Sequence, residues 1–319
     1  MFPNPTTDES GTRFHSILLK LAIFCIILLI NQKFLFRVIF YPAQLWYFYY
    51  GQQASYDTVY FINWLVSDIS SYLVPALAAF FLFRKERTQI PKHEDFKAWA
   101  EIPTIFFAAC FAGSIASLIT QRISEILDRL FGTGEIPDAM AGSLPEEGQL
   151  GSAWIFILFV VIAAPVCEEL IFRKLLLQPL RGCGDMFAAV SSALIFGAVH
   201  GNFDQFPYAF AVGLMYGILA VRSSSVLPTL ALHLANNLLV TASLYLTDMV
   251  GSEAEWAVQA EEWAAFLVNI SFWLGIPALV LMAVLGMFRL RREGQMTAGQ
   301  LFREPAVYVC LAGAAVMLI

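Results

Sequence analysis

Six polar side chains lie within hydrophobic stretches of this sequence, and together they have the chemistry needed to hydrolyse an amide bond. A carboxylate in a low-dielectric cavity holds a proton readily enough to act as a general base near neutral pH. A neighbouring histidine can share that proton and orient a water, and a histidine with an asparagine can donate to a developing oxyanion. The six residues are Glu168, Glu169, Arg173, His200, His233 and Asn237.

The spacing of these residues predicts which of them act together. Glu169 and Arg173 are four residues apart, so on a helix they share a face and can form an ion pair that makes burial of both less costly. Glu168 lies about 100° further round the helix and is free to point elsewhere. His233 and Asn237 also share a face, which offers two hydrogen-bond donors to one ligand atom.

Each motif has a simpler explanation when it is considered alone. The two glutamates could lie at a helix end in the membrane interface, balanced by Arg173 and Lys174, and either histidine could be a packing residue. Ionisable residues inside a bilayer are costly, so three such motifs in successive hydrophobic blocks favour a functional site. His15 and His93 lie in charged flanks, where we expect them to be solvated.

The composition places these motifs in an integral membrane protein. The 319 residues are 59% hydrophobic and 14% charged, whereas soluble domains are about 45–50% apolar and about 25% charged. Lipid must cover the excess apolar surface. The net charge of −6 argues against a nucleic-acid partner, and the five cysteines show no disulfide or metal-ligand spacing.

Hydrophobic runs of about 20 residues predict an all-α, polytopic protein with about eight transmembrane helices around a polar intramembrane cavity. The sixth run contains Gly213 and Gly217, a spacing of small residues that lets two helices approach closely. The tail 305–319 is apolar but short, and we expect a partial or interfacial segment. The predicted spans are 16–40, 58–83, 101–122, 152–178, 186–203, 206–221, 226–247 and 264–288.

The charges of the loops predict the orientation of the chain. Basic residues cluster in loops on one side, whereas the loops 123–151 and 248–262 on the other side are acidic. The positive-inside rule then places the N-terminus in the cytoplasm, and the bacterial plasma membrane is the default location. With these spans, Glu168 lies nearer the cytoplasmic side, while His200 comes late in a span that runs outward.

Three regions follow from the distribution of the motifs. Residues 1–150 are predicted to hold about three spans and an acidic outer loop, residues 151–247 the catalytic membrane core, and residues 248–319 a further span and the apolar tail.

The three motifs resemble those of the CPBP family, the CaaX-protease and bacteriocin-processing (Abi-type) intramembrane peptidases. That family has a double glutamate with an arginine four residues after the second, then a Phe-xxx-His block and a His-xxx-Asn block. All three occur here in this order within 70 residues, and the resemblance covers about residues 150–245. The matching residues are Glu168-Glu169…Arg173, Phe196…His200 and His233…Asn237.

The resemblance implies a role for each matched residue. Glu168 would be the general base and would activate water together with His200. His233 and Asn237 would stabilise the tetrahedral oxyanion. The second glutamate and the arginine of the first motif would fix the helix that presents Glu168.

The cofactor and the substrate are less constrained by the sequence. We expect a metal-independent peptidase, because no His-Glu-xx-His zinc signature is present; zinc bound by His200, His233 and a glutamate is the alternative. The expected substrate is a membrane-associated protein or peptide in contact with the lipid bilayer. A prenylated C-terminal peptide, a bacteriocin-type leader and a protein-sorting tail all fit.

Two other functions are compatible with parts of the sequence. A non-catalytic transporter or scaffold could use the buried charges for proton or ion handling, with Asp68 in the second span as one point on a path. Gly182-Cys183-Gly184-Asp185 matches the Gly-x-Gly-Asp motif of intramembrane aspartyl proteases, but Asp185 lies in a glycine turn beside Arg181. We therefore do not expect Asp185 to be catalytic.

Overall fold

A computed structural model describes residues 7–51, 54–86, 93–132, 143–251, 253–290 and 303–318. Within these ranges the regular structure is helical, and no strand occurs there. The α-helices are α1 (Thr7–Ile30), α2 (Phe36–Tyr50), α3 (Tyr56–Phe83), α4 (Ala98–Phe131), α5 (Leu150–Phe156), α6 (Ala164–Glu168), α7 (Gln178–Leu180), α8 (Asp185–Ala198), α9 (Gln205–Ser223), α10 (Leu227–Val250), α11 (Glu255–Val284) and α12 (Pro305–Met317).

Seven helical stretches in the described residues are long and apolar enough to cross a membrane. This confirms the all-α polytopic fold, with two shorter apolar helices in addition, α8 and α12. The seven stretches are Phe14–Tyr47, Tyr56–Phe83, Ala98–Phe131, Leu150–Cys183, Gln205–Ser223, Leu227–Val250 and Glu255–Val284. The division into three regions and the orientation of the chain stay predictions.

The predicted span 186–203 is wrong as a full crossing. The helix at this position, α8, has 14 residues, which at 1.5 Å per residue reaches about 21 Å, less than the thickness of about 30 Å of a bilayer core. It ends because Gly201 turns the chain with a φ of 71°, a conformation that glycine adopts without strain.

The turn at Gly184 removes the difference in depth that the predicted spans gave Glu168 and His200. The two residues lie 16 positions before and 16 positions after Gly184, the turn that reverses the chain. Because α8 packs back along the helix that carries Glu168, the two arms of this hairpin end at similar distances from the turn. His200 is thus brought back towards the level of Glu168.

Glycines bring α9 close to α8. A Cβ atom on Gly217 would lie 3.3 Å from the Cα of Ala189, and one on Gly213 would lie 2.8 Å from Cδ1 of Phe196. The close helix approach predicted from this glycine pair is therefore confirmed. Through Gly213, the backbone of α9 also sets the position of the Phe196 ring.

The helix that carries the double glutamate is interrupted by two π-helical segments. They span Ile157–Ala163 and Glu169–Leu177 and lie on either side of α6. In each segment a main-chain carbonyl accepts a hydrogen bond from a side chain of a neighbouring helix: Val160 from Asn237 at 3.0 Å and Phe172 from Ser192 at 2.8 Å. Local π geometry is often found at functional sites in membrane and soluble helices alike.

Ion pairs of Arg222 join α9 to α4 and to the segment before it at one end of the bundle. Arg222 at the end of α9 binds Glu101 of α4 at 2.5 Å, and Asp95 at 3.1 Å. Burial alone would raise the pKa of the Asp95 carboxyl, but the hydrogen bond and charge of Arg222 outweigh it and hold that pKa below its ordinary value. This end of the bundle is thus closed by charge pairing rather than by apolar contact.

The same end contains the aspartate of the Gly-x-Gly-Asp sequence. Asp185 is fully buried, and its carboxylate lies 2.8 Å from Nε of Arg181 and 3.0 Å from Nε2 of His93. The expectation that His93 is solvated is wrong, because its side chain is only 15% exposed and hydrogen-bonded to Asp185. These contacts give Asp185 a structural role at the start of α8.

The contact between α4 and α11 predicts a position-dependent effect of replacing glycine. A Cβ on Gly275 of α11 would clash with Phe111 and lie 2.6 Å from the carbonyl oxygen of Phe107. Gly275→Ala should therefore lower the free energy of unfolding by about 1–3 kcal/mol, although alanine favours a helix by about 1 kcal/mol. Thermal unfolding of the purified protein in detergent measures the change.

Gly313→Ala in α12 is the matched control. The nearest atom to its added Cβ is Cβ of Cys25 at 3.6 Å, an ordinary contact. This variant should match or exceed the wild type in unfolding temperature. Equal unfolding temperatures for the two variants would contradict the packing described for Gly275.

Candidate active site

Glu168 is held between side chains from two other helices. Its Oε1 accepts a hydrogen bond from the phenol of Tyr72 on α3 at 2.9 Å. Its Oε2 lies 3.6 Å from Nε2 of His233 on α10. The carboxylate is thus fixed in direction although its side chain has three rotatable bonds.

His233 lies between the two glutamates. Its Nδ1 is 3.1 Å from Oε1 of Glu169, while its Nε2 faces Glu168. An ionised carboxylate only accepts hydrogen bonds, so Nδ1 carries the proton in this contact. Nε2 can then donate only when the ring is doubly protonated.

Glu169 and Arg173 form the ion pair that their spacing predicts. Both side chains are almost fully buried, and Nε of Arg173 lies 3.6 Å from Oε2 of Glu169. Arg173 also donates to Oγ of Ser192 at 2.8 Å, and Ser192 in turn donates to the carbonyl of Phe172. This chain of contacts joins α8 to the helix of the double glutamate.

The ring of Phe196 lies at the centre of the site. Its centroid is 5.1 Å from that of His200 and 5.9 Å from that of His233, and the two histidine rings meet it nearly at right angles. The guanidinium of Arg173 lies 5.2 Å from the same ring centroid. Phe196 therefore spaces the two histidines and covers the buried cation.

His200 follows α8 in the turn before α9. Its Nδ1 lies 2.8 Å from the carbonyl oxygen of Phe196, which can only accept, so Nδ1 is the donor and Nε2 is left as an acceptor. In the described part of the chain no hydrogen bond joins His200 to Glu168. The adjacent Asn202 fixes this turn, because its side-chain oxygen accepts from the amide of Gln205 at 2.8 Å at the start of α9.

Asn237 lies one turn after His233 on α10 and reaches the other π segment. One N–H of its amide donates to the carbonyl of Val160, which leaves the second N–H and the amide oxygen for other partners. Its neighbour Asn236 points elsewhere and donates to the phenol oxygen of Tyr208 at 2.8 Å. Only Asn237 therefore shares the helix face of His233.

The contacts of the two histidines bear on the zinc alternative, in which they would hold the ion together with a glutamate. Nδ1 of His233 is used by Glu169 and Nδ1 of His200 by a main-chain carbonyl, while Nε2 of His233 faces Glu168. Across the described ranges, no group of three or more histidine, cysteine, aspartate or glutamate side chains is arranged to hold a metal ion. The metal-independent reaction stays a prediction.

The structure brings Glu168, Glu169, Arg173 and His233 into direct contact, and Phe196 connects His200 to them. The sequence-based interpretation missed Tyr72 and Ser192, which bind members of this group. Tyrosine and serine are common in membrane helices and carry no charge, so neither breaks the hydrophobic pattern as a glutamate does. Asp68, one turn before Tyr72, did break that pattern.

Comparison with known proteins identifies the same segment. Residues 150–239 match the family model described as "Type II CAAX prenyl endopeptidase Rce1-like". The chain is 30% identical over 90 residues to the "Membrane-embedded CAAX protease MroQ" of Staphylococcus aureus, a match that covers 26% of this chain and 36% of that protein.

A second relative is the protein described as "Putative membrane peptidase YdiL" of Bacillus subtilis. It is 28% identical over 136 residues, covering 42% of this chain and 52% of that protein. The chain thus spans about a third and about half of the length of these two relatives, and no solved structure matches it significantly. The resemblance drawn from the three motifs is confirmed for the segment that carries them: residues 150–239, which contain all six candidate residues, match the Rce1-like family model.

Proposed function

We propose that this integral membrane protein is an intramembrane endopeptidase that hydrolyses a peptide bond of a membrane-associated protein or peptide. One observation carries the proposal: a glutamate of a membrane helix, Glu168, is held between Tyr72 of α3 and His233 of α10. A transporter would instead need such groups along a path. The match of this segment to an endopeptidase family adds support.

The proposed reaction uses the residues as the family resemblance assigns them. Glu168 takes a proton from a water molecule, and Nε2 of His200 accepts the other hydrogen bond of that water. The oxygen of the water adds to the carbonyl carbon of the substrate. Doubly protonated His233 and the second N–H of Asn237 donate to the resulting oxyanion. Glu168 then passes its proton to the leaving amine, and the C–N bond breaks.

Glu169 and Arg173 are proposed to act through His233. Glu169 fixes the ring of His233 and selects its Nδ1 as a donor. Arg173 balances the charge of Glu169 in a place that water does not reach. Neither residue needs to touch the substrate for this role.

A prenylated C-terminal peptide is the substrate class that we propose first. The family description names CAAX prenyl endopeptidases, and MroQ is described as a CAAX protease. A prenyl group would hold its peptide at the depth of the bilayer, where the polar site lies among apolar helices. A leader or sorting peptide is the alternative. Comparing the cleavage of a farnesylated peptide with that of the same peptide without the prenyl group separates the two substrate classes.

We propose the plasma membrane of a bacterium as the location, with the N-terminus in the cytoplasm. Both relatives come from bacteria, and the basic loops of this chain support the orientation.

The first prediction concerns the proposed base. Glu168→Gln keeps the size of the side chain but cannot accept a proton, so the rate of cleavage should fall by about 10²-fold to 10⁴-fold. The loss is measured by comparing the peptide termini of membrane proteins in cells that carry the wild type or the variant. Glu262→Gln, at an exposed position of α11, should behave as wild type. Identical sets of termini for wild type and Glu168→Gln at equal expression would refute the proposal that the protein is a peptidase.

The second prediction concerns the buried ion pair. Arg173→Met leaves the charge of Glu169 buried without its cation and should lower the free energy of unfolding by about 3–5 kcal/mol. Adding Glu169→Gln should restore most of that stability but not cleavage, because His233 has lost its fixed partner. Thermal unfolding and peptide cleavage are measured on the same preparations. Full recovery of cleavage in the double variant would show that the pair has no part in positioning His233.

The third prediction concerns metal. Because the donors present do not form a three-ligand site, cleavage should survive dialysis against EDTA. Metal content is measured by mass spectrometry of the same samples. Loss of cleavage that stoichiometric Zn²⁺ restores would overturn the metal-independent mechanism.

A further inference from the structure

One face of α3 carries polar side chains towards the site, although α3 lies outside the matched segment 150–239. Asp68 and Tyr72 are four residues apart and therefore share this face. The phenol of Tyr72 donates to Oε1 of Glu168 at 2.9 Å. The carboxylate of Asp68 interacts electrostatically with Glu168, and its Oδ2 is buried without a hydrogen bond.

The groups that face Glu168 come from three elements. His233 of α10 lies on one side at 3.6 Å, and Asp68 and Tyr72 of α3 lie on the other. From its own helix, the charge of Arg173 acts on Glu168 and the thiol of Cys167 lies nearby. Tyr72 is the neutral donor in this set, and a neutral donor stabilises the ionised carboxylate without itself carrying charge into the membrane.

The hydrogen bond divides the two oxygens of Glu168 between two tasks. Oε1 is occupied by the phenol, so Oε2 is the oxygen left to accept a proton, and it faces His233. Without the phenol, the side chain of Glu168 could rotate away from this orientation. The aromatic ring of Tyr72 packs against the hydrophobic core, so phenylalanine can replace the ring but not the hydroxyl.

We propose that Tyr72 is a positioning residue for the peptidase reaction: its hydroxyl holds Oε1 of Glu168 and so directs Oε2 towards the reacting water. The inference rests on the proposed function of Glu168, and it extends the catalytic machinery to a helix that the three motifs do not include.

The test compares Tyr72→Phe with wild type in two assays. The first follows cleavage of a farnesylated CaaX-type peptide against pH. Loss of a hydrogen bond to a charged group should lower kcat by about tenfold to a hundredfold with KM little changed. Because the ionised form of Glu168 is then less stable, the acid limb of the profile should move to higher pH by about one unit.

The second assay does not depend on activity. Dicyclohexylcarbodiimide reacts with protonated carboxyl groups in apolar surroundings, and tandem mass spectrometry identifies labelling at Glu168. A larger protonated fraction in Tyr72→Phe should speed this labelling at neutral pH by about tenfold. Both assays use the full chain in lipid nanodiscs.

Tyr60→Phe is the matched control, because it removes one hydroxyl from the same helix. The phenol of Tyr60 donates to the carbonyl of Ser143 at 2.6 Å, away from Glu168. This variant should keep the wild-type pH profile and labelling rate. If Tyr72→Phe has the same pH profile and labelling rate as Tyr60→Phe, the inference is wrong. Loss of cooperative unfolding in Tyr72→Phe would also overturn it, because the hydroxyl would then be needed for the fold.

Glu168→Gln separates this inference from the proposed function. If Glu168→Gln cleaves the peptide like wild type, the proposed base is wrong, whatever Tyr72→Phe does. If Glu168→Gln is inactive and Tyr72→Phe matches wild type in both assays, only the positioning role fails.

Discussion

The contact of His233 with the half-buried carboxylate of Glu168 and the buried carboxylate of Glu169 is the constraint on which the rest of the site depends. A carboxylate among apolar helices is costly unless charge and hydrogen bonds compensate it. Glu169 meets this requirement through His233 and Arg173, and Arg173 through Ser192. Because these partners come from three helices, the compensation also fixes how the helices pack, and the same contacts that stabilise the fold orient the imidazole.

The turn at Gly184 gives this arrangement its depth in the membrane. Glu168 and His200 lie 16 positions before and 16 positions after this turn, so the two arms of the hairpin bring them to similar distances from it. The glycines of α9 let α8 pack closely enough for Phe196 to lie between the histidines.

The matched segment is not sufficient to describe the site. Tyr72 on α3 contacts Glu168 directly, and Asp68 one turn away adds its charge. Glu101 of α4 pairs with Arg222 of α9, and His93, which precedes α4, contacts Asp185 at the start of α8. The first helices of the chain thus supply partners to a core that alone would leave polar groups unpaired.

The sequence by itself determined the class of the protein, the six candidate residues and the pairing of Glu169 with Arg173. Composition is a sum over residues, and helix periodicity fixes which neighbours share a face, so both are readable without a fold. Only the tertiary structure decided that α8 stops short, that His233 lies between both glutamates, and that Tyr72 and Ser192 hold Glu168 and Arg173. These facts depend on the relative placement of helices distant in sequence, and uncharged partners such as tyrosine leave no mark in the hydrophobic pattern.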